Sequence, residues 1–225
     1  VSARWFYYEG ITMQGMHFSD RDVTLYNTLD YPALGLAAEK VKAAFRMSYS
    51  LFDKMAFFLN HYLKLDIPST QVLFRHIWRD KKTGGLRSAF DNTENLAFRG
   101  LFWLSKDFFD SKLKDTVEPD ARACHDLRNH LEHKYLKLHS MTPPKFASGS
   151  EQFDLFKDDL AHSLTVSELE KRTLRMLKLA RSALIYLLLG MHQEEFRRRK
   201  VSGSDGRTSE MPVFMVNDIY KQRPG

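Results

Sequence analysis

The sequence has little cysteine and no long apolar run. Cys124 is the single cysteine in 225 residues, which excludes an intramolecular disulfide framework and suits a reducing compartment or indifference to redox state. No apolar run approaches the roughly 20 residues that cross a bilayer. Charged side chains interrupt residues 1–30, unlike a secretory signal. We therefore expect a cytoplasmic protein without a membrane segment.

Tandem repeats and low-complexity tracts are also absent. With 43% hydrophobic residues, the chain can bury a sizeable core and fits one domain with decorations. It begins at Val1 and soon enters RWFYYEG, which carries four consecutive aromatic side chains. So apolar an opening predicts that the chain is part of a longer protein.

Positive charge is modest in total and concentrated in one segment. The net charge is +6, and residues 165–200 carry nine Lys or Arg against four Glu, a local excess of five. A concentrated basic element can attract a polyanion, although a solvated helix face is the commoner explanation of such a run.

Helical periodicity dominates the chain from residue 30 onward. Asp30 and Pro32 suit the first turn of a long central helix, and Thr165 with Glu168 forms a capping box before another. The predicted helices cover residues 30–63, 69–78, 94–109, 119–139 and 165–199. We expect an all-α fold, an antiparallel bundle of four to six helices.

The predicted bundle divides the chain into three parts. Residues 1–29 mix aromatic, charged and turn-forming residues and are predicted to be irregular or extended. The bundle covers residues 30–200, in which residues 140–164 are predicted to be a polar loop. Residues 201–225 are predicted to be a flexible linker and a C-terminal tail that docks back or reaches a partner.

A polar stripe runs along the first long helix. Glu39, Arg46, Asp53 and Asn60 recur every seven residues, and such a series drifts by only about 20° per heptad. The stripe either faces solvent or forms a buried network around a site, since buried charges persist only when paired. If it faces the helix over residues 119–139, Arg46 can contact phosphate and Asp53 can orient a histidine.

The octapeptide RNHLEHKY places several chemically active side chains near the end of that helix. It occupies residues 128–135 and contains Arg128, Asn129, His130, Glu132, His133 and Tyr135. One interpretation is a solvated face with an Arg128–Glu132 ion pair worth about 0.2–0.5 kcal/mol. Another is zinc shared by His130 and His133. However, H-x-E-H matches neither H-E-x-x-H nor H-x-x-E-H, and a third ligand would have to come from His125 or another helix.

The third interpretation is acid–base chemistry on a phosphodiester. Histidine takes and gives protons near neutral pH, and arginine holds phosphate oxygens as negative charge develops in the transition state. Cleavage of RNA without a metal needs a base for the ribose 2′-hydroxyl, an acid for the leaving oxygen and a cation for the phosphate. Arg128 and His133 supply these residue types, with His130 as an alternative base.

The spacing of Arg128 and His133 adds a constraint. Five residues of helix separate them by about 140° around the axis and about 7.5 Å along it. One such helix is therefore not expected to aim both groups easily at one phosphate. Two copies around a twofold axis would share a cleft in which both groups are represented, so the spacing favours a homodimer.

The motif resembles the R-x4-6-H signature of the HEPN superfamily (higher eukaryotes and prokaryotes nucleotide-binding). The match is R-N-x-x-x-H from Arg128 to His133, and Asn129 is the polar residue that often follows the arginine. The resemblance covers residues 30–200. In sequence style, the chain resembles a prokaryotic branch of the superfamily in which the domain often follows tetratricopeptide repeats.

This resemblance implies a function. HEPN ribonucleases are dimeric helical bundles that cleave RNA without a metal and leave a 2′,3′-cyclic phosphate and a 5′-hydroxyl, so Arg128 and His133 would be the catalytic pair. Many act as toxins or as antiviral effectors. Tyr135 extends the match to R-x4-H-x-Y, the form whose tyrosine a nucleotidyltransferase antitoxin adenylylates. Tyr135 is equally well explained as a packing residue.

The leading hypothesis is a metal-independent endoribonuclease, active as a homodimer without a cofactor, in a toxin or antiviral or stress system. The candidate supporting residues are Glu39, Arg46, Asp53, Asn129, His130 and Glu132. An alternative is a non-catalytic helical module that binds nucleotide, RNA or protein and is coupled to an upstream sensor region. A purely structural bundle serving such a region is a third hypothesis.

Overall fold

The described part of the chain is mostly helical. The computed structural model describes residues 1–22, 32–91, 94–109, 119–140 and 161–202. Within them lie five helices and one two-stranded sheet, and the prediction of a mostly helical fold is confirmed. The elements are α1 (Ser2–Thr12), α2 (Leu36–Tyr62), α3 (Leu96–Phe109), α4 (Pro119–His133), β1 (Tyr135–His139), β2 (Ala161–Thr165) and α5 (Val166–Ser202).

Aromatic side chains around α2 form the centre of the core. Phe45, Phe52 and Leu59 are seven residues apart and all buried, because positions seven apart return to nearly the same face of a helix. The Phe52 ring meets Phe74 at 5.1 Å and Phe108 at 5.0 Å between centroids. Since α2 also packs against α1, α4 and α5, it is the central helix that the sequence predicts.

The helix α1 corrects the prediction that residues 1–29 are irregular or extended. Gly10 lies so close to α2 that a Cβ there would be 2.6 Å from Cγ2 of Val41. Glu9 pairs with Lys40 of α2 at 3.2 Å. Glycine and a cluster of aromatic residues give a weak helical signal, so packing against α2, rather than local propensity, stabilises this helix.

The start of α2 also differs from the prediction. The cap position is Gly35, while Asp30 lies outside the described residues. The backbone N–H of Leu36 donates to Oδ2 of Asp20 at 2.9 Å. A side chain sixteen residues earlier in the chain therefore caps α2, which a search for a local cap cannot find.

The chain after His133 forms a strand, although the sequence predicts that the helix continues to residue 139. β1 pairs in parallel with β2 in the register Leu136↔His162 and Leu138↔Leu164. Leucines two residues apart point to one side of a strand, and Leu138 and Leu164 are both buried. Leu138 therefore anchors a strand to the core.

The predicted loop over residues 140–164 is also corrected at its end, because residues 161–165 are β2. Residues 141–160 of that loop lie outside the described residues. Pro32, predicted in the first turn of a helix, instead forms an antiparallel bridge with His139. The small sheet therefore ties the chain before α2 to the end of β1.

Residues 69–78 are a compact turn segment, not the predicted short helix. Only Ser69–Gln71 is helical, as one 3-10 turn. The buried side chains of the segment are Phe74, Ile77 and Trp78. The backbone N–H of Phe74 donates to Oδ1 of Asp53 at 3.4 Å. Burial of these side chains fixes the segment without a repeating helical hydrogen-bond pattern.

The start of α5 is confirmed. Oγ1 of Thr165 accepts a hydrogen bond from the backbone N–H of Glu168 at 3.2 Å, the bond expected of an N-cap. The helix continues to Ser202, past the predicted start of the linker at residue 201. The rest of the predicted linker and tail lies outside the described residues.

The outer face of α5 carries exposed apolar side chains. Leu184 and Leu188 are 39% and 65% exposed. The inner face carries buried large side chains such as Met176 and Leu179, together with the small Ala180 and Ala183. Among the described residues, no helix combines the length and the apolar character needed to cross a membrane.

Gly190 provides a test of the close packing between α3 and α5. A Cβ at this position would lie 2.3 Å from the Phe98 ring, so Gly190→Ala must displace that ring. We expect a loss of about 1–3 kcal/mol in the free energy of unfolding, although Gly→Ala inside a helix usually stabilises by about 0.5–1 kcal/mol. Urea denaturation measures the difference.

The matched control is Gly85→Ala, where the nearest atom would be Oγ1 of Thr83 at 3.6 Å, an ordinary contact. The free energy of unfolding of this variant should lie within about 0.5 kcal/mol of the wild-type value, as is usual for surface substitutions. Equal stability of both variants would contradict the close packing of Gly190.

Candidate active site

The candidate site lies at the C-terminal end of α4. Arg128 to His133 occupy the last two turns of that helix, and β1 begins at Tyr135, one residue after Lys134. Leu127 and Leu131 are buried, four residues apart, and fix which side of α4 faces the core. Arg128 is partly buried and His133 is exposed, so the pair stands where the helix meets solvent.

Arg128 and His133 meet within one chain. Nη1 of Arg128 lies 3.1 Å from Nε2 of His133. The spacing of about 140° does not keep the two groups apart. It describes where the side chains leave the helix, whereas the long arginine side chain reaches the imidazole.

The contact assigns hydrogen-bond roles to Arg128 and His133. A guanidinium has only donors and stays charged, so Nε2 of His133 must accept the hydrogen bond. In this hydrogen bond the ring N–H of His133 is on Nδ1. The nitrogen that faces Arg128 is consequently the basic one.

Two further contacts hold the Arg128 guanidinium. Nη1 also donates to Oδ1 of Asn129 at 3.4 Å, and Cζ lies 5.6 Å from the centre of the Tyr49 ring. Tyr49 belongs to α2 and is only 7% exposed, so its ring is a fixed surface beneath the cation.

His125 connects these partners of Arg128. Its Nε2 lies 3.2 Å from Nδ2 of Asn129, and its Nδ1 lies 2.8 Å from the Tyr49 hydroxyl. The ring meets Phe109 of α3 nearly edge to face, at 4.9 Å between centroids. Sequence reasoning considered His125 only as a third metal ligand, although its position four residues before Asn129 signals a shared helix face.

Arg46 of the polar stripe binds the end of α4, while its predicted contact with phosphate stays a prediction. Its Nη2 donates to the backbone carbonyl of Leu131 at 2.6 Å, and its Nε lies 3.3 Å from Oε1 of Glu132. The last carbonyls of a helix lack intrahelical partners and attract cations. Glu132 therefore pairs with Arg46 of α2, not with Arg128 as the solvated-face interpretation expected.

One known protein family matches most of this chain. The family model of LA2681-like HEPN matches residues 1–194, which is most of the chain. The chain belongs to the LA2681-like HEPN family. No curated protein and no solved structure is significantly similar to it.

Membership confirms the HEPN resemblance and extends it towards the N-terminus, since the match includes α1. It supports a helical domain of nuclease or nucleotide-binding type for this HEPN chain. The described residues contain no group of three His, Cys, Asp or Glu side chains placed to hold a metal ion. The association with tetratricopeptide repeats stays a prediction.

The rest of the polar stripe of this HEPN protein makes contacts away from the motif. Glu39 pairs with Lys42 at 2.6 Å. Asn60 bonds the backbone of Ile67. Asp53 accepts from the Phe74 backbone and is not bonded to a histidine of the motif. The structure therefore brings Arg46 to the site and engages the other three elsewhere.

His130 lies on the other side of the motif helix from Arg128. Its Nδ1 is 2.8 Å from the carbonyl of Asp126, and its ring stacks on His162 of β2 with centroids 4.5 Å apart. Two residues on a helix differ by about 200°. His130 therefore joins α4 to the sheet and does not share the position of His133.

Tyr135 of the HEPN chain is 72% exposed at the start of β1. Its side chain is accessible to solvent, and this exposure does not support a role in packing. Its modification stays a prediction.

The His130–His162 stack predicts a loss of stability in acid. Burial, followed by the neighbouring His130 and Arg172, lowers the pKa of His162 below its ordinary value, against smaller opposing effects of Glu168 and Asp126. The unfolded chain then binds the proton more readily than the folded one. Stability is therefore full above the ordinary histidine pKa of about 6.5 and falls as the pH drops below it.

Urea denaturation at about pH 7.5 and about pH 5.5 measures this effect. The wild type should unfold at a lower urea concentration at the acidic pH than at the neutral pH. His162→Phe, which keeps a stacked ring, should show a smaller difference between the two pH values. His61→Phe, at an exposed position near the end of α2, should retain the wild-type difference. An unchanged pH dependence in His162→Phe would contradict the assignment.

Proposed function

We propose that this HEPN domain is a metal-independent endoribonuclease. The observation that carries the proposal is the 3.1 Å contact between Nη1 of Arg128 and Nε2 of His133 at an exposed helix end. It joins a permanent cation, suited to phosphate oxygens, to a neutral imidazole, suited to proton transfer. These groups serve cleavage through the ribose 2′-hydroxyl.

Binding of the substrate phosphate would rearrange this contact. In the free protein, Arg128 donates to the nitrogen of His133 that must accept a proton. A phosphate oxygen is a stronger partner for guanidinium than a neutral imidazole. The phosphate would therefore draw Arg128 away and expose Nε2 beside the ribose.

The reaction then proceeds with a balanced transfer of two protons. Nε2 of His133 accepts the proton of the 2′-hydroxyl while O2′ forms a bond to phosphorus and the bond from phosphorus to O5′ breaks. A second group gives a proton to O5′. The products are a 2′,3′-cyclic phosphate and a 5′-hydroxyl, and Arg128 stabilises the charge on the non-bridging oxygens.

A second copy of the chain is the proposed source of that second group. Among the described histidines near Arg128, His133 is the exposed one. Both ring nitrogens of His125 contact other side chains, and His130 is stacked on His162. The proposed homodimer rests on the need of the reaction for one acid and one base. The spacing of Arg128 and His133 no longer supports it, because the two side chains meet within one chain.

Exposed cations on α5 support a polyanionic substrate. Lys171, Lys178 and Arg181 are exposed, and their spacing of seven and three residues places them along one helix face. Their attraction for RNA would not depend on its sequence.

The biological role we propose is that of a toxin or an antiviral or stress effector, controlled by a nucleotidyltransferase antitoxin acting on Tyr135 or by an upstream sensor region. The alternative is a binding module in which Arg128 holds a nucleotide or RNA without cleavage. It has the exposure of His133 in its favour, and the same variants distinguish the two functions.

Removing the catalytic groups tests the proposed function. We expect His133→Ala to lower the rate of RNA cleavage by about 10²- to 10⁴-fold, and Arg128→Ala by about 10²- to 10³-fold, as for loss of a group that stabilises developing charge. Cleavage with a chelator present should equal cleavage without it. Electrophoresis of a defined RNA measures the rates, and the 2′,3′-cyclic end identifies the chemistry.

The matched controls are His61→Ala and Arg99→Ala, at exposed positions on α2 and α3, which should retain wild-type rates. Induction in cells should arrest growth for the wild type and not for His133→Ala. Full activity of the combined Arg128→Ala and His133→Ala variant would exclude the assignment. RNA binding without cleavage would favour the binding module.

Mixing wild-type and His133→Ala chains tests the homodimer. If each cleft needs His133 from both copies, a variant partner inactivates a wild-type chain. After random exchange of equal amounts, about half of the wild-type chains have a variant partner, so activity per wild-type chain should fall to about half. Unchanged activity per wild-type chain in confirmed mixed dimers would show that one copy is sufficient.

A further inference from the structure

Arg128 and three other side chains form a closed ring of contacts. Its guanidinium contacts Asn129, Asn129 contacts His125, His125 contacts the Tyr49 hydroxyl, and the Tyr49 ring lies beneath the guanidinium. Three members lie on α4 and one on α2. Both ring nitrogens of His125 face other members of the ring of contacts, so His125 is not available to a substrate.

The direction of each hydrogen bond follows from the arginine. Since Arg128 can only donate, the carbonyl oxygen of Asn129 faces it, and the amide nitrogen of Asn129 faces His125. Nε2 of His125 must then accept. In a neutral imidazole the other nitrogen carries the proton, so Nδ1 donates to the Tyr49 oxygen.

We propose that His125 is a positioning residue for Arg128. Through Asn129 it fixes the oxygen to which the guanidinium donates, and through Tyr49 it fixes the ring on which the guanidinium rests. His125 acts in this way only as the neutral tautomer with its proton on Nδ1. This inference rests on the proposed function for its kinetic consequence, and its structural content stands apart from it.

Burial makes this arrangement more than a surface contact. Tyr49 is 7% exposed, and the Phe109 ring meets His125 at 4.9 Å. The ring of His125 is therefore held by α3 and α2 together. A side chain held on two sides can orient Asn129, which by itself could turn its amide either way.

Paired variants at position 125 separate positioning from packing. His125→Phe keeps a planar ring against Phe109 and removes both nitrogens, whereas His125→Gln restores an acceptor near Nε2. We expect His125→Phe to lower kcat/KM for RNA by about 10- to 100-fold, the range that a misplacement near 1 Å can produce. His125→Gln should recover most of the loss, and the control His61→Phe should match the wild type.

Each outcome decides the inference. Activity of His125→Phe within about twofold of the wild type, or equal losses in folded His125→Phe and His125→Gln, would overturn it. If circular dichroism shows that His125→Phe is unfolded, Tyr49→Phe replaces it, since that variant keeps the ring beneath Arg128 and removes the hydroxyl. A wild-type rate in Tyr49→Phe would then overturn the inference.

Ring-nitrogen NMR shifts of His125 test the same inference without activity. The expected spectrum shows a protonated Nδ1 and an unprotonated Nε2, and a guanidinium signal of Arg128 that broadens in His125→Phe or Tyr49→Phe but not in His61→Phe. A proton on Nε2 would overturn the inference. If the wild type fails to cleave RNA but gives the expected spectrum, the proposed function fails and the positioning role remains.

Discussion

Arg46 and Tyr49 of α2 hold the end of α4 against the bundle. They are three residues apart and therefore lie on neighbouring parts of one helix face. Arg46 binds the Leu131 carbonyl and Glu132, while Tyr49 lies beneath Arg128 and contacts His125. The position of the motif thus depends on how α2 is packed, and α2 is fixed by the aromatic core.

Local signals explain which elements the sequence could predict. The helix predicted over residues 94–109 and the Thr165 cap depend on residues close together in the chain. Both are present in the structure, the helix as Leu96–Phe109. The cap of α2 by Asp20 and the parallel pairing of β1 with β2 join residues far apart in the chain. No short sequence window contains both partners of such contacts, so periodicity alone could not predict them.

The candidate site likewise combines features that the sequence predicts with features that only the tertiary structure shows. Arg128 and His133 are in one motif, and their presence at the end of a helix was predictable. Their contact was not, because angular spacing describes where side chains leave the helix and ignores the reach of a long one. Tyr49 lies 76 residues before His125 and carries no signal beyond an aromatic residue on a buried helix, so only the tertiary structure reveals its part.

The short connection between α4 and β1 gives the motif a fixed register. Lys134 alone separates His133 from the strand, and Leu136 and Leu138 are paired with β2. A shift of β1 by one residue would turn the buried Leu138 towards solvent. The pairing of β1 with β2 therefore fixes the rotation and the axial position of α4, because α4 cannot turn or advance without shifting the register of β1. An insertion after His133 would remove this coupling between the helix and the strand.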